Sequence, residues 1–425
     1  MQGRLAWMDL SPSTYVAAHI PITLILDLGD GDERGSAASD GQSGTKSLQR
    51  GADAENMDGW EMHKTMFTSR EGVTLDSIAA PLRRWLLNPV TTAPAALLLS
   101  GLAAYTSDTI VTKFLLPVYA LTFTGTLLSL NDYLDKQFAN NWVSDKTWNW
   151  DEEIVVVTGG SDGIGASISK KLIARNPRTR IVIVDYAPLK WQPKEEGARV
   201  SYYQCDLSDT SALKSACERI RSEVGHPTVL FNNAGLVRGA TIMEGSYGDV
   251  EATVKTNLIA PMLLAKEFLP EMVKRDHGHI LHTGSLSCVT PPALIADYAA
   301  TKAGLLALHE GLQLELKNIH KAPRVRLTFG MFCFIRTALI GGHTNVPNFL
   351  LPFLNVDTVG EAMVNAVYSG YGSILYLPGL NRVAMTLRGG PEWLFRLVRE
   401  GTVNFRINFR GRQEVDPQTG KMLKA

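Results

Sequence analysis

The sequence has little cysteine and no excess of charge of either sign. Its 425 residues include four cysteines, Cys205, Cys217, Cys288 and Cys333, and none of them forms a CxxC pair. No histidines cluster at the spacing of metal ligands, so the sequence predicts free thiols, a reducing compartment and no metal site. Lysine plus arginine total 42, and so do aspartate plus glutamate. A chain without a basic excess lacks the electrostatic signature of a nucleic-acid-binding protein.

Large apolar residues are scarce near the N-terminus, where residues 28–59 are rich in glycine, serine and aspartate. Such a composition cannot bury enough apolar surface to order itself. The preceding stretch has a weak positive region and no close cleavage site, unlike a signal peptide. Because Met66 opens a more coherent sequence, residues 1–65 are predicted to be a disordered extension or an error in the assigned start of translation.

Charge is absent from two apolar runs within residues 66–150, namely 86–107 and 114–130. Each run approaches the length that a helix needs to cross a bilayer. The rest of the chain predicts a complete fold, which leaves these runs without a soluble partner. The sequence therefore favours a membrane hairpin or two short spans with both ends in the cytosol. A pair of buried helices that packs on the next domain is the alternative.

Short apolar runs alternate with helical patterns over residues 151–380. Several runs are nearly continuous in valine, isoleucine and leucine, as strands covered on both faces are. This βαβ series predicts an α/β fold with a Rossmann-type, doubly wound parallel sheet. The predicted strands are Ile154–Thr158, Arg180–Asp185, Val200–Gln204, Thr228–Phe231, His279–Thr283, Arg324–Thr328 and Ser373–Leu377.

The C-terminal region, residues 381–425, is predicted to be one helix followed by a polar tail. The stretch PEWLFRLVREG has proline at a suitable start and glycine just past the end. Trp393, Leu394, Leu397 and Val398 share one face. Two alternatives stay open for this helix. In one it docks on the core, and in the other it lies on a membrane surface.

A glycine-rich turn follows the first predicted strand and precedes a predicted helix. Gly159, Gly163 and Gly165 fall in this turn, where side chains would keep the backbone away from a pyrophosphate. The following helix points its first N–H groups and its positive dipole end at such an anion. Strand, turn and helix in this order predict a dinucleotide site.

The second predicted strand ends in Asp185, 20 residues after Gly165. A carboxylate there accepts hydrogen bonds from the adenosine ribose hydroxyls and repels a 2′-phosphate. Neither the glycine turn nor Tyr186 supplies a basic residue, so the sequence favours NAD, with NADP as the alternative. A purely structural role for Asp185, as a turn residue at the end of a strand, is the other interpretation.

The motifs TGGSDGIG, CDLSD, NNAG, KTN, HTGS and YAATK follow one another in the chain. In this order they resemble the short-chain dehydrogenase/reductase family, and the chain is similar to its membrane-associated retinol dehydrogenase and 17β-hydroxysteroid dehydrogenase types. The resemblance implies NAD(P)-dependent interconversion of an alcohol and a carbonyl, with Asn257, Ser285, Tyr298 and Lys302 as catalytic residues. It assigns cofactor contacts to Gly159, Ser161, Gly163, Ile164, Gly165, Asp185, Asp206, Leu207, Asn233, Ala234, Gly235, Tyr298, Lys302 and Thr337.

The chemistry of these residues agrees with the resemblance. A free tyrosine has a pKa near 10, too high for an efficient base at neutral pH. Lys302 lies one helical turn after Tyr298, and its charge is predicted to lower the tyrosine pKa. Ser285 is suited to bind the substrate oxygen. The resemblance implies that Asn257 helps to hold a water that relays protons to Lys302.

One segment departs from the family pattern. The family has proline and glycine after the sixth strand and a threonine about four residues later. Here Phe329 stands in place of the proline, and Thr337 lies seven residues beyond Gly330. The loop is therefore longer, or the sequence carries extra residues. Thr337 is still predicted to contact the nicotinamide.

The substrate is predicted from an apolar segment after that loop, with Phe349, Leu350, Leu351, Phe353 and Leu354. An apolar lid beside an apolar anchor suggests a lipophilic retinoid, steroid or long-chain alcohol, or its carbonyl. The alternatives are a 3-ketoacyl or other lipid carbonyl reductase, and a non-catalytic scaffold that binds cofactor. The predicted location is the endoplasmic reticulum membrane or a lipid droplet, with the catalytic domain in the cytosol. A homodimer is a possible assembly.

Overall fold

The computed structural model describes residues 69–340, 344–405, 407–409 and 414–423. The extension predicted at residues 1–65 lies outside the described residues. A parallel sheet of seven strands forms the centre of the fold, in the order β3-β2-β1-β4-β5-β6-β7. The predicted α/β fold is therefore confirmed. The strands are β1 (Ile154–Thr158), β2 (Arg180–Asp185), β3 (Arg199–Gln204), β4 (Val229–Asn232), β5 (Gly278–Thr283), β6 (Val325–Phe332) and β7 (Ser373–Leu377).

Helices lie before the sheet in the sequence, between its strands and after it. A π-helical turn, Lys255–Ile259, joins α6 to α7, and a second one, Glu315–Ile319, extends α8. The helices are α1 (Leu75–Trp85), α2 (Pro89–Thr106), α3 (Thr109–Ala139), α4 (Gly163–Arg175), α5 (Thr210–Glu223), α6 (Tyr247–Val254), α7 (Ala260–Arg275), α8 (Ala296–Leu314), α9 (Val356–Tyr368), α10 (Asn381–Leu387) and α11 (Glu392–Gly401).

The sheet has an apolar core on each of its faces. On one face, Ile168 and Leu172 of α4 pack with Met363 of α9. On the other face, the core includes Ile220 of α5 and Phe268 of α7. Strands β1, β4 and β5 are buried along their whole length because helices cover both sides. Their near-continuous apolar sequences follow from this double burial.

Strand β6 is longer than the sequence predicted. It runs from Val325 to Phe332, whereas the prediction ended at Thr328. Phe329 pairs with His282 of β5 and with Ile374 of β7. A proline at this position could not donate a ladder hydrogen bond in a central strand, whereas phenylalanine can. The departure from the family pattern thus lengthens the strand, and the loop begins only at Cys333.

The two apolar runs form the helices α2 and α3, which pack on each other. A Cβ atom on Gly125 would lie 2.6 Å from the Leu87 carbonyl oxygen, so the two segments of backbone approach closely there. Leu98 and Leu116 are 76% and 78% exposed, which does not fit the alternative of a buried pair. Among the described residues, α3 alone is long and apolar enough to cross a membrane, and α1 and α2 qualify only together, with a bend of 51°.

The end of α3 is joined to the edge of the sheet. Asn140 follows the helix, and its side chain donates to the Gly372 carbonyl at 3.0 Å and accepts from the Gly372 N–H at 2.7 Å. Arg382 of α10 forms ion pairs with Asp132 and Asp135 of α3. The end of α3 is therefore fixed to the sheet and to α10 by these contacts.

The C-terminal helix α11 is present where the sequence predicted it, but its inward face differs from the predicted one. Phe395, which the predicted face omitted, is buried. Trp393 and Leu397 are 70% and 61% exposed. The helix therefore buries Phe395 and still presents apolar side chains to its surroundings.

Candidate active site

An open cleft lies at the carboxyl ends of β1, β2 and β4, where the strand order reverses. Ligands of doubly wound sheets bind at this kind of position. The cleft encloses about 190 Å³. The predicted cofactor residues that line it are Gly159, Ser161, Gly163, Ile164, Asp185, Asp206, Leu207, Asn233, Ala234, Gly235 and Thr337.

The glycine turn leaves no room for side chains. Gly159 and Gly163 have positive φ angles of 65° and 55°, which favour glycine. Gly165 lies behind the turn, where a Cβ atom would stand 2.2 Å from the Gly159 carbonyl oxygen. The turn leads directly into the N-terminus of α4. This arrangement leaves backbone N–H groups for a pyrophosphate.

Asp185 supports the glycine turn as well as lining the cleft. Its carboxylate accepts from the Ser161 N–H at 2.9 Å and from the Ala187 N–H at 3.0 Å. Burial raises the pKa of this carboxyl group. These hydrogen bonds support the structural interpretation of Asp185, and its contact with the adenosine ribose stays a prediction.

Lys190 is a cleft residue that the sequence reasoning missed. It lies five residues after Asp185, and its ammonium group pairs with Asp162 of the glycine turn at 2.9 Å. Lys190 also lines the cleft beside Asp185 and Tyr186. The preference for NAD rested on the lack of a basic residue in the turn or next to Asp185. Lys190 supplies a cation from further along the chain, so that argument no longer separates NAD from NADP.

The cleft has a wall beside Asp206 that the sequence did not indicate. Asp206 accepts from the Ser208 N–H and hydroxyl at 2.9 and 2.7 Å through one oxygen. Its other oxygen accepts from the Met422 N–H at 3.2 Å, and Met422 lines the cleft. The contact joins residues 216 positions apart, and no local sequence signal could have found it.

The NNAG motif connects the cleft to the middle of the sheet. The N–H groups of Asn233 and Ala234 donate to the Thr158 hydroxyl at 2.9 and 3.0 Å. A Cβ atom on Gly235 would lie 3.3 Å from Asn257 Oδ1 and 3.7 Å from Lys302 Nζ. The motif therefore brings the end of β4 into contact with two of the predicted catalytic residues.

A second, mostly apolar cavity of about 500 Å³ adjoins the nucleotide cleft. Ser285, Tyr298 and Lys302 line this cavity. The residues that border both spaces are Ile164, Asn233, Gly235, Thr337 and Leu339. Three of the four predicted catalytic side chains therefore line a cavity that adjoins the nucleotide cleft.

Tyr298 and Lys302 lie on the first turns of α8, and Ser285 follows β5. Lys302 Nζ lies 5.4 Å from the centre of the Tyr298 ring and donates to the Thr283 carbonyl at 2.7 Å. Tyr298 is hydrogen-bonded to Ser285. Ser285 also accepts from the Ser287 hydroxyl at 3.0 Å. The three side chains thus form a connected polar group at one end of an apolar cavity.

The pKa of Tyr298 is raised and not lowered in this structure, and the effect of the Lys302 charge on it stays a prediction. Burial raises the pKa of Tyr298 to about 12, although the hydrogen bond from Ser285 acts in the opposite direction. Burial also lowers the pKa of Lys302 to about 8. The Lys302 ammonium group donates to a main-chain carbonyl, and loss of solvation is the largest cause of both pKa shifts. At neutral pH Tyr298 therefore keeps its proton.

Asn257 lines neither space. Its side chain accepts from the Leu236 N–H at 2.9 Å and donates to the Leu236 carbonyl at 2.8 Å. It lies in the π-helical turn between α6 and α7, a feature frequent at functional sites. The side chain thus fixes the backbone next to Gly235, which makes Asn257 a positioning residue.

Thr337 returns to the glycine turn despite the longer sequence after Gly330. Its Cγ2 atom would lie 3.7 Å from a Cβ atom placed on Gly163. The extension of β6 takes up part of the extra length, so only Cys333 to Arg336 separate the strand from Thr337. The threonine borders both the nucleotide cleft and the apolar cavity.

Several known proteins are similar to this chain. A family model described as short chain dehydrogenase matches residues 153–337. A dehydrogenase of Cochliobolus heterostrophus named RED2 is 35% identical over 212 residues, which cover 50% of this chain and 79% of that protein. Human epidermal retinol dehydrogenase 2 is 28% identical over 249 residues, with 56% and 77% covered. A short-chain dehydrogenase from Sphingobium yanoikuyae, solved in complex with NADPH, has a TM-score of 0.46 at 25% identity, with 57% and 95% covered.

The matched region contains the glycine turn and every residue predicted to be catalytic. It ends at Thr337, one of the residues that border both spaces. Fold, motif order and the likeness to RED2 agree with one another. The chain therefore belongs to the short-chain dehydrogenase family and is an NAD(P)-dependent oxidoreductase.

Proposed function

We propose that the protein interconverts a lipophilic alcohol and its carbonyl by hydride transfer with NAD(P). One observation carries the proposal. Ser285, Tyr298 and Lys302 line an apolar cavity of about 500 Å³ that adjoins the nucleotide cleft, and Lys302 lies near Gly235, which borders both spaces. A cavity of this size suits a retinoid, a steroid or a long-chain alcohol.

The residues of the cleft fit a dinucleotide. The glycine turn and the N-terminus of α4 would hold the pyrophosphate, Asp185 the adenosine ribose, and Thr337 the nicotinamide end. Gly235 borders both the cleft and the cavity. When bound, NAD(P) would supply or accept the hydride.

Proton transfer is assigned to Tyr298. In reduction, its hydroxyl donates a proton to the carbonyl oxygen, and in oxidation the tyrosinate takes the proton of the alcohol. Ser285 hydrogen-bonds the substrate oxygen and stabilises the charge that develops there. Lys302 supplies a positive charge near both groups. With its pKa raised to about 12, Tyr298 is protonated at neutral pH, which is the form that carbonyl reduction requires.

The walls of the cavity support a lipophilic substrate. Its lining includes Leu350 and Leu351 of the apolar segment, Leu387 of α10 and Val398 of α11. Leu350 is 44% exposed, so the cavity is open on this side. One relative is named as a retinol dehydrogenase, which agrees with a lipophilic alcohol.

We place this chemistry at a membrane. The helices α2 and α3 present many exposed apolar side chains, and Arg382 ties α3 to α10. Helix α10 also contributes Val383, Ala384 and Leu387 to the cavity wall. A lipophilic substrate could pass from the bilayer to the cavity along this side. The proposed location is the endoplasmic reticulum membrane or a lipid droplet, with the catalytic domain in the cytosol.

We assign a role to each of three regions of the chain. Residues 66–150 are assigned to membrane association, 151–380 to catalysis, and 381–425 to the cavity wall and tail. A homodimer stays a prediction. The scaffold alternative rested on the departure after Gly330, and the return of Thr337 to the glycine turn removes its main support.

Turnover assays test the proposal. The full chain, in lipid nanodiscs, is assayed by NAD(P)H absorbance with retinal, ketosteroids, long-chain aldehydes and a 3-ketoacyl thioester. We expect reduction of at least one lipophilic carbonyl. A Tyr298→Phe variant, which keeps the ring but loses the acid, should lower kcat by about 100-fold or more.

Binding measurements serve as the control. Tyr298→Phe should bind NADH or NADPH with unchanged affinity, because the hydroxyl lies outside the adenosine half of the cleft. Full turnover in this variant would refute the mechanism. Cofactor binding without turnover of any substrate would favour the scaffold, and exclusive turnover of the thioester would favour the 3-ketoacyl alternative.

A further inference from the structure

The C-terminal residues 414–423 form a defined hairpin. Val415 and Met422 form an antiparallel bridge. The Asp416 N–H donates to the Lys421 carbonyl at 2.9 Å, and the Leu423 N–H donates to the Glu414 carbonyl at 2.9 Å. These bonds give the segment, here named the C-terminal hairpin, a fixed shape.

The hairpin packs tightly on α6. Val415 and Met422 contact Leu236 and Ala252 in a small apolar cluster. The Gly248 N–H donates to the Pro417 carbonyl at 2.9 Å. A Cβ atom on Gly248 would lie 2.1 Å from the Asp416 carbonyl oxygen, so any other residue would push the hairpin away.

The hairpin also contacts the nucleotide cleft at its adenine end. The Met422 N–H donates to Asp206 at 3.2 Å, and Met422 lines the cleft beside Asp206. About 190 Å³ of the cleft remains open with the hairpin in this position. The hairpin is thus a wall of the cleft and not a plug in it.

We propose that the C-terminal hairpin completes the binding site for the adenosine half of the dinucleotide, with Met422 packed against the adenine and Asp206 fixed by its backbone. A thioether side chain suits an aromatic ring as a contact. The inference rests on the proposed assignment of the cleft to the cofactor. It does not depend on the identity of the substrate.

Displacing the C-terminal hairpin should lower the affinity only for ligands that contain adenosine. Without the Met422 contact and the fixed orientation of Asp206, the affinity for NADH, NADPH and ADP-ribose should fall by about tenfold. Nicotinamide mononucleotide lacks the adenosine half, so its affinity should not change. A general loss of folding would instead weaken every ligand.

Gly248→Ala displaces the hairpin without altering a residue of the cleft. Gly311→Ala is the matched control, because a Cβ atom there meets nothing within 4 Å. Dissociation constants for NADH, ADP-ribose and reduced nicotinamide mononucleotide are measured by calorimetry on the full chain. We expect weaker NADH and ADP-ribose binding in Gly248→Ala alone.

A second variant that ends at residue 413 keeps the inference testable if Gly248→Ala fails to fold. Equal affinity in a folded variant of either kind would overturn the inference, and tighter binding would show that the hairpin obstructs the cleft. If the unaltered protein binds no adenine nucleotide, the proposed cofactor site itself fails, which is a distinct outcome.

Discussion

At the scale of single residues, Lys302 contacts both the end of a central strand and the tyrosine to which we assign proton transfer. Its ammonium group is buried, donates to the Thr283 carbonyl and lies beside the Tyr298 ring. Burial disfavours its charged form and lowers its pKa to about 8. The charge of the site is therefore present at neutral pH and is lost in the mildly alkaline range.

Carbonyl reduction should accordingly fall as the pH rises through about 8, where Lys302 loses its proton. Tyr298 does not share in this change, because its pKa is raised to about 12. The measurement is kcat/KM for the carbonyl against pH, at saturating cofactor. A Lys302→Arg variant keeps its charge and should lose this step even if it is slower. A flat profile between pH 7 and pH 10 in the unaltered protein would contradict the assignment.

At the scale of elements, the connection from β2 to β3 is folded back on the glycine turn. Trp191 donates its indole N–H to the Gly160 carbonyl at 3.0 Å. The Ser161 hydroxyl donates to the Ala187 carbonyl at 3.0 Å, and Lys190 pairs with Asp162. Three contacts thus hold Lys190 at the edge of the cleft that we propose binds the adenosine ribose.

Lys190→Ala should therefore weaken NADPH relative to NADH. An exposed ion pair contributes up to about 1 kcal/mol, so the ratio of the two KM values should move about fivefold. Lys194→Ala removes a lysine of the same connection that does not line the cleft, and it should leave the ratio unchanged. An equal ratio in all three proteins would show that Lys190 takes no part in cofactor choice.

At the scale of the whole molecule, the apolar helices and the cavity lie on one connected structure. Leu116 and Phe123 of α3 are 78% and 65% exposed. Asn140 and Arg382 join the end of α3 to the sheet and to α10. A bilayer around α2 and α3 would therefore lie at a fixed distance from the cavity.

Membrane association can be tested with charges on α3. Each charge in the bilayer interior costs about 3 kcal/mol, so the double variant Leu116→Glu, Phe123→Glu should move from the membrane pellet to the soluble fraction after alkaline extraction. Met243→Glu, at a site that is 96% exposed on another part of the chain, is the control and should stay in the pellet. Release of the unaltered protein by the same treatment would count against the proposal.

Local sequence signals predicted the sheet and the glycine turn because both depend on neighbouring residues. Runs of valine and isoleucine predict buried strands, and glycine spacing predicts the turn. The wall formed by Met422, the cation of Lys190 and the inward position of Phe395 depend on contacts between distant segments. The length of β6 escaped prediction because Phe329 can donate a ladder hydrogen bond where the family pattern has proline.

The contact between Lys302 and the Thr283 carbonyl has a consequence for tolerance to mutation. Every amino acid carries a main-chain carbonyl, so a substitution at position 283 retains the anchor of the lysine. What places this oxygen is the pairing of β5 with β4 and β6. The catalytic charge is therefore sensitive to the alignment of three strands and largely indifferent to the side chain that its anchor bears.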